Sequence, residues 1–405
     1  MSSEMSDTSE EAVFRACLQI LLEASSPSTD FEVQVCECLR DLQASVQDLL
    51  CGQGCQWKVI PFGGAVNGFA DCSSDLDVTI CNQSCAQCCE DDKEAAVDVL
   101  KQLWWDLERH SELIKVRSAV LRARIPILKL QYMENLDVDL SANNPGGVQN
   151  TWLLKAYAAM NPKVVQLGLM VKLWAKGNRI LGAWSRHLSP YAFLLMVIYF
   201  LQVGIPNPLP CLQRMAQDSA FDDENSALSV AHAAQKGWSL GSDVVLLFCS
   251  FISFYAVDFK WREEVVCIRL GCRQSRPTDN VLGGSGRQDE VCLYVQEPFR
   301  PDNLADALCA ETEQDLRAMF QYASQAIQAG RQLVLFPQLM EAAARPLQVG
   351  LTAVAKTHFS NTSALGYLTV LPGSIVKVLH LGEDDNLEEK DWAYGECAAD
   401  SSHGW

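Results

Sequence analysis

Residues 62–80 read FGGAVNGFADCSSDLDVTI: a glycine pair, ten further residues, then Asp75 and Asp77 on either side of Leu76 at the head of an apolar run. Side chains alternate faces along a strand, so the two carboxylates project together while Leu76 and Val78 point the other way, into a core. Gly63 and Gly64 carry no Cβ, so the backbone there can turn sharply and bring its N–H groups against a polyanion. Hard divalent cations take carboxylate oxygens together with substrate phosphate oxygens, and a pair of them can clamp the entering and leaving oxygens of an in-line displacement. The stretch therefore demands a turn feeding a strand, and it points to nucleotidyl transfer.

A site of that kind takes a third carboxylate from a neighbouring strand. The run ARIPILKLQYM, bearing Arg122, Arg124 and Lys129, reads as a strand, and NLDVDLSANN follows it with Asp137 and Asp139 on a shared face. On the residues alone either aspartate can complete the set.

With 405 residues and 49% hydrophobic content the chain is long enough for two or three domains with real cores. Residues 1–55 carry helical periodicity, with Phe14, Leu18, Leu21 and Leu22 on one stripe. Residues 56–148 alternate strand and helix signals, as a small mixed sheet would. Residues 149–345 are dominated by helical patterns, broken by a Pro-rich corner at 204–210 and a β-like pair, EEVVCIRLG and DEVCLYVQ. The Gly/Ser/Arg-rich stretch between that pair reads as a loop. Residues 346–405 carry β signals. The apolar run YAFLLMVIYFL is eleven residues long, which suits a buried helix and falls short of a membrane span.

The GG…DLD element, ARIPILKL…DVDLS, VQNTWLL, VKLWAKGNRI, LSPYAFLLMVIYFLQ and VQEPFRP occur in the order seen in terminal RNA uridylyltransferases and non-canonical poly(A) polymerases. Over residues 10–345 the chain resembles that family, most of all the small trypanosomatid enzymes associated with RNA editing. The resemblance implies an α+β protein: a polymerase-β-like nucleotidyltransferase domain (56–148) with a mixed sheet, a mostly helical domain (149–345) carrying a base-recognition turn, and N-terminal helices (1–55) packed on the helical domain. It implies addition of UMP from UTP to an RNA 3′-hydroxyl with two Mg²⁺ or Mn²⁺ ions, adenylyl transfer from ATP being the alternative.

Carried over by position, the resemblance gives the metals to Asp75, Asp77 and Asp139. Asn150, with Thr151 beside it, falls where the family contacts the ribose and the uracil edge, and Tyr191 where the base stacks. Lys172 and Lys176, four apart on a helix face, would meet one triphosphate; read alone they are equally solvated helix charges, and Tyr191 equally a core residue. The chain departs from the family at three places. Gly64 stands where many relatives have serine, and Pro190 where a phosphate-binding hydroxyl usually precedes the tyrosine, leaving Ser189 or Ser141 to replace it. Around the PF dipeptide the base-selecting positions are Glu297, Arg300 and Asn303, of which only Glu297 keeps the family's carboxylate.

The net charge of −18 excludes a broad polycationic grip on RNA, so contact with only the last nucleotides is expected, through Arg122 and Arg124, with Lys115 and Arg117 nearby. These cations also suit strand edges that must not pair. The 17 cysteines follow no secretory segment and read as reduced intracellular thiols. Cys81, Cys85, Cys88 and Cys89 would need Cys51 and Cys55 as a second pair to bind zinc, and a zinc site is not expected. The acidic start MSSEMSDTSEE is unlike an Arg-rich presequence, while the family resemblance allows mitochondrion or cytoplasm. From residue 351 the order AVAKTHF, GYLTVLPGSIVKVLHLGEDD, DWAYGE, SSHGW resembles an SH3 domain lacking its tyrosine-rich first strand. It would serve as a β appendage for protein partners, with Trp392 and Tyr394 as its aromatic surface.

Overall fold

Two helices open the chain, and each takes its place from the spacing of its apolar residues. In α1 (Ser2–Ser25), Phe14 and Leu18 lie one turn apart and are buried among helices far along the chain, Phe14 stacking 5.9 Å from Phe336. In α2 (Thr29–Leu50), Val35, Cys38, Leu42, Val46 and Leu50 form a stripe that buries against a sheet. The expectation that both N-terminal helices pack on the helical domain is therefore corrected for α2. Its stripe faces β-branched and leucine side chains of the sheet, and its Asp41 accepts a 2.7 Å hydrogen bond from the Tyr132 hydroxyl there. The computed structural model describes residues 2–50, 56–82, 93–276, 291–339, 348, 350–355, 368, 370, 373–381, 393–399 and 401–404.

The sheet is built from β1 (Trp57–Phe62), then, after the short α3 (Gly64–Asn67), β2 (Leu76–Asn82), and, after α4 (Lys93–His110), β3 (Ile114–Val120), β4 (Ile127–Tyr132) and β5 (Leu136–Ala142). Its strand order is β1-β2-β5-β4-β3, with β2 and β5 parallel and the other neighbours antiparallel. Leu76, Val78, Ile80, Leu128, Leu130, Val138 and Leu140 fill one face, covered by α2 and by Leu100, Leu103 and Leu107 of α4. The opposite face carries the aspartates. Arg122 and Arg124 lie in the turn between β3 and β4 rather than on a strand, because the chain reverses there before Pro126.

After β5 the pattern becomes helical, and the starts are written in the sequence. Asn144 caps α5 (Pro145–Met160), Asn161 caps α6 (Pro162–Gly177) and Ser189 caps α7 (Pro190–Val203), each side chain accepting a backbone N–H ahead of a first-turn proline. Helix α7 is apolar on every side, and residues 192–202 are all buried. Around it stand α8 (Leu212–Met215), α9 (Glu224–Gln235) and α10 (Val244–Ser253), which runs on into a π turn. The expected β-like pair shrinks to two-residue strands, β6 (Glu264–Val265) with β7 (Gln274–Ser275), plus a single bridge from Val266 to Val295. Helix α11 (Ala310–Gln328) closes this core, where Trp174 meets Phe193, Phe248 and Phe320.

A small antiparallel sheet ends the chain: β8 (Thr352–Val354), β9 (Ile375–Leu381), β10 (Ala393–Cys397) and β11 (His403–Gly404), in the order β11-β10-β9-β8. It leans on α1: a Cβ at Gly373 would come within 2.7 Å of the Ala12 carbonyl oxygen. Trp392, Trp405 and the acidic stretch between β9 and β10 lie outside the described residues. Among the described residues no helix is long and apolar enough to cross a membrane.

Candidate active site

Parallel pairing of β2 with β5 sets the carboxylates. Asp77 is the register partner of Asp139, whereas Asp137 lies one alternation further along β5 and is exposed. The strand therefore distinguishes two aspartates that the residues alone left equivalent. Burial, then repulsion from Asp75 and Asp139, pushes the Asp77 carboxyl up to about 7; burial, then Asp139, raises Asp75 as well. Lys129, facing Asp139 across β4 and β5, places its Nζ 3.1 Å from both carboxylate oxygens.

The glycine turn is locked against this cluster. Gly63 has φ 74° and ψ −158°, a conformation essentially reserved for glycine. Its N–H donates to Thr151 Oγ1 at 2.8 Å, and that hydroxyl donates to the Gly147 carbonyl at 2.7 Å. A Cβ on Gly63 would stand 2.0 Å from Asp77 Oδ2, so the missing side chain is what lets backbone and carboxylate meet. At Gly64, the first residue of α3, a Cβ would have open room, with Ser74 Oγ its nearest neighbour at 3.7 Å.

Between this floor and α7 lies a cleft of about 640 Å³. It brings together Gly63, Gly64, Asp75, Asp77, Asn150, Thr151, Lys172, Lys176, Ser189 and Tyr191. Lys172 is buried, donating to the Phe69 carbonyl and pairing with Asp71, both at 2.8 Å. Burial alone would raise the Asp71 carboxyl, but the Lys172 ammonium and the Ser73 hydroxyl and N–H outweigh it and hold it at about 2. Lys176 donates to Ser73 Oγ at 2.8 Å. Asp71, Ser73 and Lys129 are site residues that sequence reasoning missed; the DCSS turn before β2 and the cross-strand spacing of Lys129 were the available signals. Ser141 does not reach the cleft: it is buried in the sheet, donating to the Val78 carbonyl.

The base-selecting positions are arranged differently from one another. Glu297 is buried, with Oε1 accepting from Asn150 Nδ2 at 2.7 Å and Oε2 accepting from the Phe299 and Arg300 N–H groups. Asn303 Oδ1 accepts from the Val295 and Ala305 N–H groups, and its Nδ2 donates to Asp306. Both side chains thus brace their own turn. Arg300 lines a neighbouring hollow of about 420 Å³ with Lys93, Arg124, Asn143, Asn144 and Asp302, where Arg124 pairs with Asp302 at 3.0 Å. Arg122 contributes there only its carbonyl, to Lys93. Two polar atoms on the cleft wall, Asn150 Oδ1 and the Tyr191 hydroxyl, are buried without a partner.

The donor chemistry fits hard divalent cations. All three groups are carboxylates, Asp77 is raised by burial and then by repulsion from Asp75 and Asp139, which a bound cation would relieve, and only a bare glycine at 63 leaves room beside Asp77 Oδ2. Among the described residues, no three His, Cys, Asp or Glu side chains are arranged to close on one ion. Cys85, Cys88, Cys89, Cys51 and Cys55 lie outside the described residues.

Comparison with known proteins bears on this arrangement. Residues 16–159 match the family described as poly(A) RNA polymerase, mitochondrial-like, central palm domain, and residues 243–303 match the Cid1 family of poly(A) polymerases. The chain is 29% identical over 302 residues to the poly(A) RNA polymerase GLD2 of Danio rerio, a match covering 72% of this chain and 57% of that protein. It is 30% identical to the Homo sapiens GLD2, covering 69% and 57%. The matched length is thus a little over half of these curated relatives. Among solved structures, the Cid1 poly(U) polymerase with MgGTP bound superimposes with a TM-score of 0.62 at 20% identity, covering 80% of this chain and 96% of that one. Cid1 with its short product ApU gives 0.61 at 23% identity, covering 79% and 96%. These matches carry the broad resemblance of the sequence and leave its narrower, trypanosomatid form aside. Two matched segments and a shared fold make the chain similar to the Cid1 and GLD2 nucleotidyltransferases and give it the Cid1-like polymerase-β nucleotidyltransferase fold.

Proposed function

We propose that this protein adds nucleoside monophosphates from a nucleoside triphosphate to an RNA 3′-hydroxyl, with ATP as the preferred donor. The observation that carries the base choice is the state of Glu297. Selecting uracil needs a fixed acceptor for its N3–H, and Glu297 is buried with both oxygens turned to protein donors and does not line the cleft. Asn303 is held within its turn, which leaves the Tyr191 ring and Asn150 Oδ1 to meet the base. A stacking ring serves any base, and one acceptor takes the adenine 6-amino group. The curated relatives above are named as poly(A) polymerases, which supports the same reading. Uridylyl transfer from UTP is the second reading: Asn150 Oδ1 is also an acceptor for uracil N3–H.

In this reading Asp75, Asp77 and Asp139 hold two divalent ions, Mg²⁺ or Mn²⁺. When bound, these ions supply charge neutralisation for the attacking and leaving oxygens. The protein's own groups do the rest. Backbone N–H groups from Gly64 onward, Lys176 and Ser189 receive the triphosphate, while Lys172, tied to Asp71, stiffens the loop that carries Ser73. Tyr191 orients the base, and the wall from α5 to α7 excludes water. The RNA 3′ end approaches through the hollow lined by Lys93, Arg124 and Arg300, short enough to suit a chain of net charge −18. The C-terminal sheet is available to protein partners.

The test is extension of a short labelled RNA by the purified chain with Mg²⁺ and each nucleoside triphosphate in turn. Extension chiefly with ATP is expected. Extension with UTP alone overturns the base choice, and extension that survives Asp75→Ala with Asp77→Ala overturns the site.

A further inference from the structure

Of the three active-site aspartates, Asp139 alone has a cation bonded to it among the described residues. The Lys129 ammonium lies 3.1 Å from each Asp139 oxygen, and the two residues are direct cross-strand partners, so the contact is dictated by register and not by a chance rotamer of a distant side chain. The pair is half open to solvent, Lys129 being 47% and Asp139 19% exposed. Lys129 is also the only cation whose charge bears on Asp77 among the described residues. Among the described residues no three carboxylates close on one point. A carboxylate shared between an ammonium and a divalent ion must give up one for the other, because both seek the same oxygens.

We propose that Lys129 is a positioning residue that acts as a stand-in cation for the second metal ion. Its ammonium holds Asp139 until a divalent ion displaces it. An ion on Asp75 and Asp77, against which no cation is bonded among the described residues, meets less of this competition, so the two ions differ in affinity and load in order. The released ammonium remains on the same sheet face, where it offsets the charge of the incoming phosphates. This inference rests on the nucleotidyl-transfer reading of the site, and its test separates the two.

Mn²⁺ binding is measured on the full chain by electron paramagnetic resonance, with a non-hydrolysable triphosphate analogue present, for wild type, Lys129→Met, Lys129→Arg and Lys115→Met. Wild type is expected to show one tight and one weak ion. Lys129→Met should tighten the weak one about fivefold, the scale of a half-exposed ion pair, while Lys129→Arg, which keeps a cation on Asp139, stays near wild type. Lys115→Met, which removes a charge on neighbouring β3 that pairs with Glu134, should leave both affinities alone. An unchanged weak site in Lys129→Met, or an equal shift in Lys115→Met, overturns the stand-in role and leaves the metal site standing. Absence of bound Mn²⁺ in wild type overturns both.

Discussion

Gly63→Ala is the most demanding test of the site, since one methyl group meets two constraints at once. The backbone at φ 74° and ψ −158° is strained for any residue with a Cβ, a cost of about 1–3 kcal/mol. The added carbon would also lie 2.0 Å from Asp77 Oδ2 and 2.9 Å from its Cγ. Ordinary contact begins near ~3.4 Å, so the carboxylate must retreat by roughly an ångström or more. A displacement of that size at a reacting centre costs about a hundredfold in rate. The expected outcome is a loss of at least about a hundredfold in kcat for RNA extension, weaker Mn²⁺ binding and a modest fall in Tm. Steady-state extension and calorimetry on the same preparation read all three. Extension within about threefold of wild type, with Mn²⁺ affinity unchanged, would refute the claim that Gly63 and Asp77 share a single space.

Gly64→Ser, at the adjacent position with 3.7 Å of clearance, should fold as wild type and lower the KM for nucleoside triphosphate by adding a hydroxyl to the phosphate end. Thr151→Val strands the half-buried Gly63 N–H, and should cost about 1 kcal/mol in denaturant unfolding together with a clear loss of kcat. Asp77, raised to about 7 against an unfolded value near ~3.9, contributes stability below pH ~4 that is lost as pH rises through about 7. In metal-free buffer Asp77→Asn should therefore melt close to wild type at or below pH ~4 and above it at pH 8, a gap that saturating Mn²⁺ narrows; equal melting at both values would count against the raised carboxyl. Lys172→Met leaves Asp71 without its cation and should destabilise by up to about 3 kcal/mol, partly recovered by adding Asp71→Asn. Because Asp71 is held at about 2, wild type should lose this contribution as pH falls below ~4 towards 2, and the variant should lack that acid dependence.

Much of this was legible in the chain because it rests on local chemistry. The alternation around Leu76, the proline and capping residues ahead of α5, α6 and α7, and the glycine pair each fix a conformation by themselves. What escaped was decided by register and partner choice. NLDVDLS by itself leaves Asp137 and Asp139 equivalent; the family resemblance picks Asp139, and the parallel pairing of β2 with β5 sets it beside Asp77. Lys129 reads as one more strand cation until β4 sets it opposite an aspartate. Glu297 looks like a free carboxylate in the linear chain, and only the curl of its own turn turns it into an internal acceptor. Similarly, α2 carries the same kind of apolar stripe as α1, so periodicity announces a buried face without saying which core receives it.

That division of α1 and α2 has a mechanical consequence. The chain passes between the helical core and the sheet across 26–28, between the first two helices, and across 143–144, between β5 and α5, and between β1 and β2 it dips into the helical core at Phe69. The same seam is also stitched by Gly63 N–H on Thr151, Lys172 on Asp71 and Lys176 on Ser73. Covalent crossings and these bonds act together, as stitching along a seam does, so the floor and the wall of the cleft keep one height relative to each other. Cutting the chain at 26–28 would remove one tie and leave the rest of the seam to carry the alignment.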